Sequence, residues 1–208
     1  TYTLTAEEEQ IDLSQKNLGS ADVTLLATWL QRSEVSVAVD AIAIGGNPIT
    51  SAGGATLLET IKTSKLKTID IGKPLPLQEP YESDTLDLSS TGMDPGHIVI
   101  LSWWLATDAA GAINLLTLDS TGNMRDQKTY TLTAGEEKID LSQKNLGSAD
   151  VTLLTSWLQR PEVTGAVACM TLDDNKTIGA TGADSLMESI CTTRNTQIVK
   201  IKHDVGAL

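Results

Sequence analysis

Residues 1–35, TYTLTAEEEQIDLSQKNLGSADVTLLATWLQRSEV, return at 129–163 as TYTLTAGEEKIDLSQKNLGSADVTLLTSWLQRPEV, with five differences in thirty-five positions. A near-identical block displaced by 128 residues means that the chain was built by duplicating a module. Duplicated modules usually bury their apolar faces against neighbouring copies, so the organisation expected is a repeat array.

The pattern extends beyond the copied block. LDLSSTGMDPGHIVILSWWLA (86–106) aligns without a gap to IDLSQKNLGSADVTLLATWLQ (11–31). Asp12, Leu13 and Ser14 match Asp87, Leu88 and Ser89, and then Asp140, Leu141 and Ser142. Leu26, Trp29 and Leu30 match Leu101, Trp104 and Leu105, and then Leu154, Trp157 and Leu158. Looser relatives occupy 41–63 and 169–193, and shorter ones start at 66, 113 and 198. The starts at 11, 86 and 139 divide the chain into super-units of about 1–74, 75–128 and 129–208. The second is short by roughly one helix and its turn. Segments 74–85 and 124–138 carry no helical spacing.

Each full unit changes period halfway. Ile11 and Leu13, or Ile42 and Ile44, alternate with polar or small residues, which predicts a short strand with one buried face. A turn follows. Val23, Leu26 and Leu30 then form a helical row, with Leu25 and Trp29 beside it. Ser20 is expected to cap this helix, with Asp22 in its first turn, and Ser51, Ser148 and Thr181 stand in equivalent places. Arg32 and Arg160 fall near the helix ends, where a cation suits the dipole.

Ile42-Ala-Ile44-Gly-Gly-Asn47-Pro-Ile49, followed by Ala52-Gly-Gly-Ala-Thr-Leu57-Leu58, resembles a leucine-rich repeat of the ribonuclease-inhibitor-like class. Met170-Thr-Leu172-Asp-Asp-Asn175 is similar. The resemblance covers most of 8–208 and implies an α/β solenoid forming a single domain. Short parallel strands would line its concave face and helices its convex face. Lys16, Thr91 and Lys144 stand where that family has the asparagine that bonds neighbouring turns, so the solenoid should be irregular. The runner-up fold is a right-handed parallel β-solenoid, suited to the Thr-rich TYTLT segments and opposed by helical rows at 21–31, 98–106 and 149–159.

The formal net charge of −12 directs the functional reading. By the same resemblance, the outward positions of the strands face the concave side. They place Asp12, Ser14, Asp70, Asp87, Ser89, Asp119, Asp140, Ser142 and Asp173 there. A column of carboxylates about 4.8 Å apart would attract a basic protein partner. The competing reading is a solvated face on which each Asp serves its own turn. Ala43, Thr117 and Thr171 interrupt the column, and Lys200 and Lys202 lie at its far end. The Glu7–Glu8–Glu9 run reads as a solvated edge.

Other chemistry finds little support. Fifteen basic residues against twenty-seven acidic ones, with no basic stripe, argue against nucleic acid. His97 and His203 have no Cys, Asp or Glu at metal-ligand spacing, and His97 reads as a surface residue at a helix start. The GGNP and SAGGA stretches serve turns and close helix starts rather than phosphate binding, so neither enzyme nor cofactor is expected. Trp29, Trp104 and Trp157 share one repeat position and should be core. Trp103 points elsewhere and is either an exposed contact or the cover of a gap.

Cys169 and Cys191 could form a disulfide, though reduced thiols in a non-oxidising, intracellular setting fit better. Asn175-Lys176-Thr177 is a glycosylation pattern that matters only on a secretory route. No stretch reaches membrane-span length, and no basic, apolar leader opens the chain. The missing initiating Met and missing polar caps suggest a piece of a longer array whose ends stack on something else. Two functional expectations follow: a non-catalytic scaffold binding one protein along an acidic face, or a structural subunit of a large assembly, held by its ends and helical flank.

Overall fold

In the computed structural model, residues 2–5, 8–179, 182–184, 186 and 188 are described, with the backbone of 200–202. Glu7, Thr181, Cys191 and His203 lie outside the described residues.

Strand β1 (Gln10–Asp12) leads to α1 (Ser20–Leu30) and a short α2 (Ser33–Ala38), then β2 (Ala41–Ala43), α3 (Thr50–Thr63), β3 (Thr68–Asp70) and β4 (Pro74–Pro76). β5 (Thr85–Asp87), α4 (Pro95–Trp104), a 3-10 turn at Asp108–Ala110, β6 (Leu115–Asp119) and β7 (Thr129–Thr133) follow. The duplicate then gives β8 (Lys138–Asp140), α5 (Ser148–Leu158), α6 (Pro161–Thr164) and β9 (Cys169–Thr171), and β10 (Lys200–Lys202) comes last. The helices α1, α4 and α5 coincide with the three helical rows in the sequence, which excludes the nearly helix-free β-solenoid.

The strands form three separate sheets, in the orders β1-β2-β3-β4, β5-β6-β7 and β10-β9-β8. This corrects the expectation of one leucine-rich-repeat solenoid with a continuous parallel sheet. Parallel pairing does join β1 to β2 to β3, β5 to β6, and β8 to β9 to β10. It stops where the chain turns back: β4 pairs antiparallel with β3, and β7 antiparallel with β6. The helix-poor segments 74–85 and 124–138 therefore contribute the returning strands β4 and β7. Pro74 and Pro76 have no N–H to extend a ladder, so β4 belongs at an edge.

Contacts divide the chain into two compact units. One comprises Thr1–Glu82 and Ser90–Ala112, and the other Ser83–Ser89 and Ile113–Leu208. In the first, Ile11, Ile42, Ile69 and Leu75 occupy one row across the sheet and are all buried. Burial of each such side chain stabilises by about 1.5–3 kcal/mol. α1 adds Val23, Leu26, Trp29 and Leu30 to this core. α3 lies against α1 and α4, and two glycines permit it. A Cβ on Gly53 would stand 3.3 Å from the Ser20 Cα, and one on Gly54 only 2.3 Å from the Gly96 carbonyl oxygen. Trp104, fully buried, donates its indole N–H to the Pro76 carbonyl at 2.7 Å and so joins α4 to β4.

In the second unit, Leu86, Leu116 and Leu132 form the buried row of one sheet, and Ile139 and Met170 are the buried pair of the other. Trp157 is fully buried on α5, as the shared repeat position requires.

Helix capping differs from expectation. Ser20 and Ser148 begin their helices, and the N-cap residues are Gly19 and Gly147. Asp22 and Asp150 reach back to accept those glycine N–H groups at 3.0 and 2.7 Å. This carboxylate cap satisfies an orphan donor and also suits the positive helix end.

Candidate functional site

The turns after β2 and β9 are built by buried asparagines. Asn47 donates its side-chain amide to the Leu13 carbonyl at 2.8 Å and the Ile44 carbonyl at 2.7 Å, while its oxygen accepts the Leu18 N–H at 3.0 Å. Asn175 does the same with Leu141 (2.8 Å), Leu172 (2.9 Å) and Leu146 (2.9 Å). Each asparagine thus bonds the preceding turn to its own and fixes the register of the strands that lead into them.

The outward positions of β1, β2 and β3 surround an open concavity of about 500 Å³. Gln10, Asp12, Ala41, Ala43, Thr68 and Asp70 line it, with Pro74 at the edge strand. Asp12, Ala43 and Asp70 stand in one row of the sheet. The two carboxylates are thus two strands apart, about 9.6 Å, with a methyl group between them. Asp12 accepts the Ser14 N–H at 2.8 Å, and Asp70 accepts the Gly72 N–H at 2.7 Å. The bonds to Ser14, backbone first, hold the Asp12 carboxyl below its usual range, and Lys16 adds to this.

The other expected acids do not continue the row. Asp87 accepts the Ser89 N–H and hydroxyl at 2.9 and 2.6 Å, and its neighbours in register are Thr117 and then Thr131. Asp140 accepts the Ser142 N–H and hydroxyl at 3.0 and 2.7 Å, and its row continues through Thr171 to Lys202. Asp119 accepts the Thr129 hydroxyl at 2.6 Å. Asp173 is half-buried beyond the end of β9, where its carbonyl accepts the Gln143 N–H at 2.9 Å. The acids at 12, 70, 87 and 140 thus serve local Asx turns. Only Asp12 and Asp70 share a row, and Ser14, Ser89 and Ser142 belong to the turns. Trp103 is half-buried beside the buried Trp104.

Of the residues between the acids, Ala43 stood in the sequence only as an interruption of the column, and Ala41 and Thr68 were given no part in it. Small side chains at consecutive outward positions were the available signal, because they deepen the face that the acids flank.

Two buried polar clusters lie apart from this face. His97 is fully buried, not a surface residue: its Nδ1 lies 2.9 Å from the Asp94 Oδ1 and 3.1 Å from the Asp94 nitrogen, and its Nε2 donates to the Ile44 carbonyl at 3.1 Å. Asp94 caps α4 through the N–H groups of Gly96 and His97, and also accepts the Thr50 N–H at 2.6 Å. Burial works against its charge, yet the bonds to His97 and Thr50 leave its carboxyl below the usual range. In the second unit, fully buried Asp150 accepts from Thr121 N–H and hydroxyl, both 2.8 Å, and from the Tyr130 hydroxyl at 2.9 Å.

Both clusters are spent on helix starts and strand ends. Among the described residues, no group of three or more His, Cys, Asp or Glu is placed to hold a metal ion. Cys169 is a free thiol. Among the described residues no helix is long and apolar enough to cross a membrane. No protein-family model matches the chain, and no curated protein matches it.

Proposed function

We propose that the chain is a non-catalytic binding module that receives a basic, extended segment of a partner protein on the face between Asp12 and Asp70. The observation that carries this reading is the open concavity with an alanine floor and a carboxylate on each side. A lysine or arginine stem can lie over Ala43 while its head reaches either acid. The net charge of −12 favours encounter with such a segment.

The test compares two neutralised proteins for binding of a labelled octalysine peptide. Asp12→Asn with Asp70→Asn keeps the turn acceptors and removes the two charges of the face. Glu79→Gln with Glu82→Gln removes two exposed charges elsewhere. Weakening by at least fivefold in the first pair alone supports the site, and equal weakening in both pairs reduces it to general charge attraction.

A second reading, a structural subunit of an assembly held by its helical flank, is favoured by Leu25, an apolar α1 side chain that is 57% exposed.

A further inference from the structure

We infer that the face of the first copy marked by Asp22, Leu25 and Arg32 is a docking site for a strand–turn polypeptide segment with the chemistry of residues 113–122. The inference goes beyond the sheet concavity and rests on comparing two nearly identical sequences in two surroundings.

In the second copy, this face is covered from within its own unit. Asp150 takes the Thr121 N–H and hydroxyl, and Arg160 donates from Nη2 to the Ile113 carbonyl at 2.7 Å. The two anchors grip opposite ends of one extended segment. Between them, Leu115–Asp119 pairs antiparallel, residue for residue, with Thr129–Thr133 of the duplicated block. A Cβ on Gly122 would stand only 2.3 Å from the Asn145 carbonyl oxygen, so the turn ending the segment fits closely against the block. In this unit Leu153, Asp150 and Leu132 are fully buried, and Arg160 is 5% exposed.

The first copy carries the same side chains without that cover. Leu25, the equivalent of Leu153, is 57% exposed, Arg32 is exposed, and Tyr2, Leu4 and Asp22 are half-exposed. Tyr2–Thr5 has the sequence of β7 but lies in no strand. The local geometry is nevertheless already in place. Tyr2 bonds Asp22 as Tyr130 bonds Asp150, at 3.0 and 2.9 Å, and Arg32 pairs with Glu34 as Arg160 pairs with Glu162. The first copy therefore presents a preformed receptor whose ligand is known from the second: an extended strand with a carbonyl for Arg32 at one end, alternating leucines, and a Thr-Gly turn for Asp22 at the other.

The probe is a synthetic peptide of residues 112–124, labelled and titrated into the whole protein. Binding should be saturable and one-to-one, and hydrogen exchange should slow in 2–5 and 18–25. Leu25→Asp, at an exposed position that leaves folding intact, should weaken binding at least tenfold. A peptide carrying Thr121→Val should lose a similar factor through the Asp22 anchor. Absence of saturable binding overturns the inference. So does binding indifferent to Leu25→Asp, or protection confined to 148–154, which would mean exchange into the second copy.

Discussion

Asp22 and Asp150 hold the same place in the duplicated block, accept the same two bonds from glycine N–H and tyrosine hydroxyl, and titrate in opposite directions. Near Asp22 the Gly19 N–H, and after it the Tyr2 hydroxyl, bring the carboxyl below its usual range. Around Asp150 burial dominates and pushes the carboxyl up, against the lowering bonds from Gly147, Thr121 and Tyr130. Burial also holds the Tyr130 hydroxyl well above its ordinary range, with Asp150 adding to it. The difference follows burial: Asp150 is fully buried and Asp22 is half-exposed.

These directions give opposite pH dependences of stability. Asp22, depressed in the folded state, contributes stability present above the unfolded carboxyl value of about 3.9 and lost as pH falls through its folded value. Asp150, raised in the folded state, contributes stability that is full below that unfolded value and lost as pH rises through its folded value. Relative to Asp22→Asn, the parent protein should therefore gain stability on going from pH 3 to 6. Relative to Asp150→Asn, it should lose stability over the same interval. Urea unfolding of all three proteins across that range checks this, and slopes of equal sign would refute the assignment.

The asparagine turns make a sharper demand on stability. Asn47→Ala leaves the buried Leu18 N–H and the Leu13 carbonyl without their partner, while the Ile44 carbonyl keeps its bond from His97. The expected cost is about 2–4 kcal/mol, since each buried polar group left unsatisfied costs about 1–3 kcal/mol. Asn47→Asp keeps the shape and the acceptor but turns an oxygen toward two carbonyls, so it should be at least as damaging as alanine. Asn175→Ala should behave like Asn47→Ala. Denaturant midpoints at constant slope measure the effect, and a loss below about 0.5 kcal/mol would show the amide to be dispensable.

Local elements were legible in the sequence because they depend on short spacings. Ile11, Ile42 and Ile69 marked strands, Val23, Leu26 and Leu30 marked a helix, and Asn47 and Asn175 marked turns. How the strands join was not legible. The direction of β4 against β3 depends on the tight return through Ile71, Gly72 and Lys73, and that of β7 against β6 on the longer loop from Ser120. Neither carries a periodic signal. The acidic column failed for the same reason: it assumed one sheet, and Asp87 and Asp140 lie in sheets other than that of Asp12 and Asp70. His97 was misread because its partner Ile44 is 53 residues away and acts through a backbone carbonyl, which no side-chain pattern records.

Gly54 and Gly182 hold the same place after Asn47 and Asn175, and alanine should distinguish them. At Gly54 the new methyl would meet backbone: 2.3 Å from the Gly96 oxygen and 2.6 Å from its Cα. Neither atom can rotate away, so α3 and α4 must separate and loosen the packing around Ile49, Leu57 and Ile98. Overpacking of this kind costs about 1–3 kcal/mol, more than the roughly 1 kcal/mol that alanine gains over glycine inside a helix. At Gly182 the nearest atom is the Ile178 Cγ2 at 2.9 Å, a side-chain methyl rather than backbone, and the next is the Ser148 Cα at 3.6 Å. A small rotation of Ile178 makes room, and the helical gain then roughly offsets the adjustment. Gly54→Ala should therefore lower the denaturant midpoint clearly, while Gly182→Ala leaves it within about 0.5 kcal/mol of the parent. Equal losses at both positions would mean that α4 does not approach α3 as closely as Gly54 and Gly96 allow.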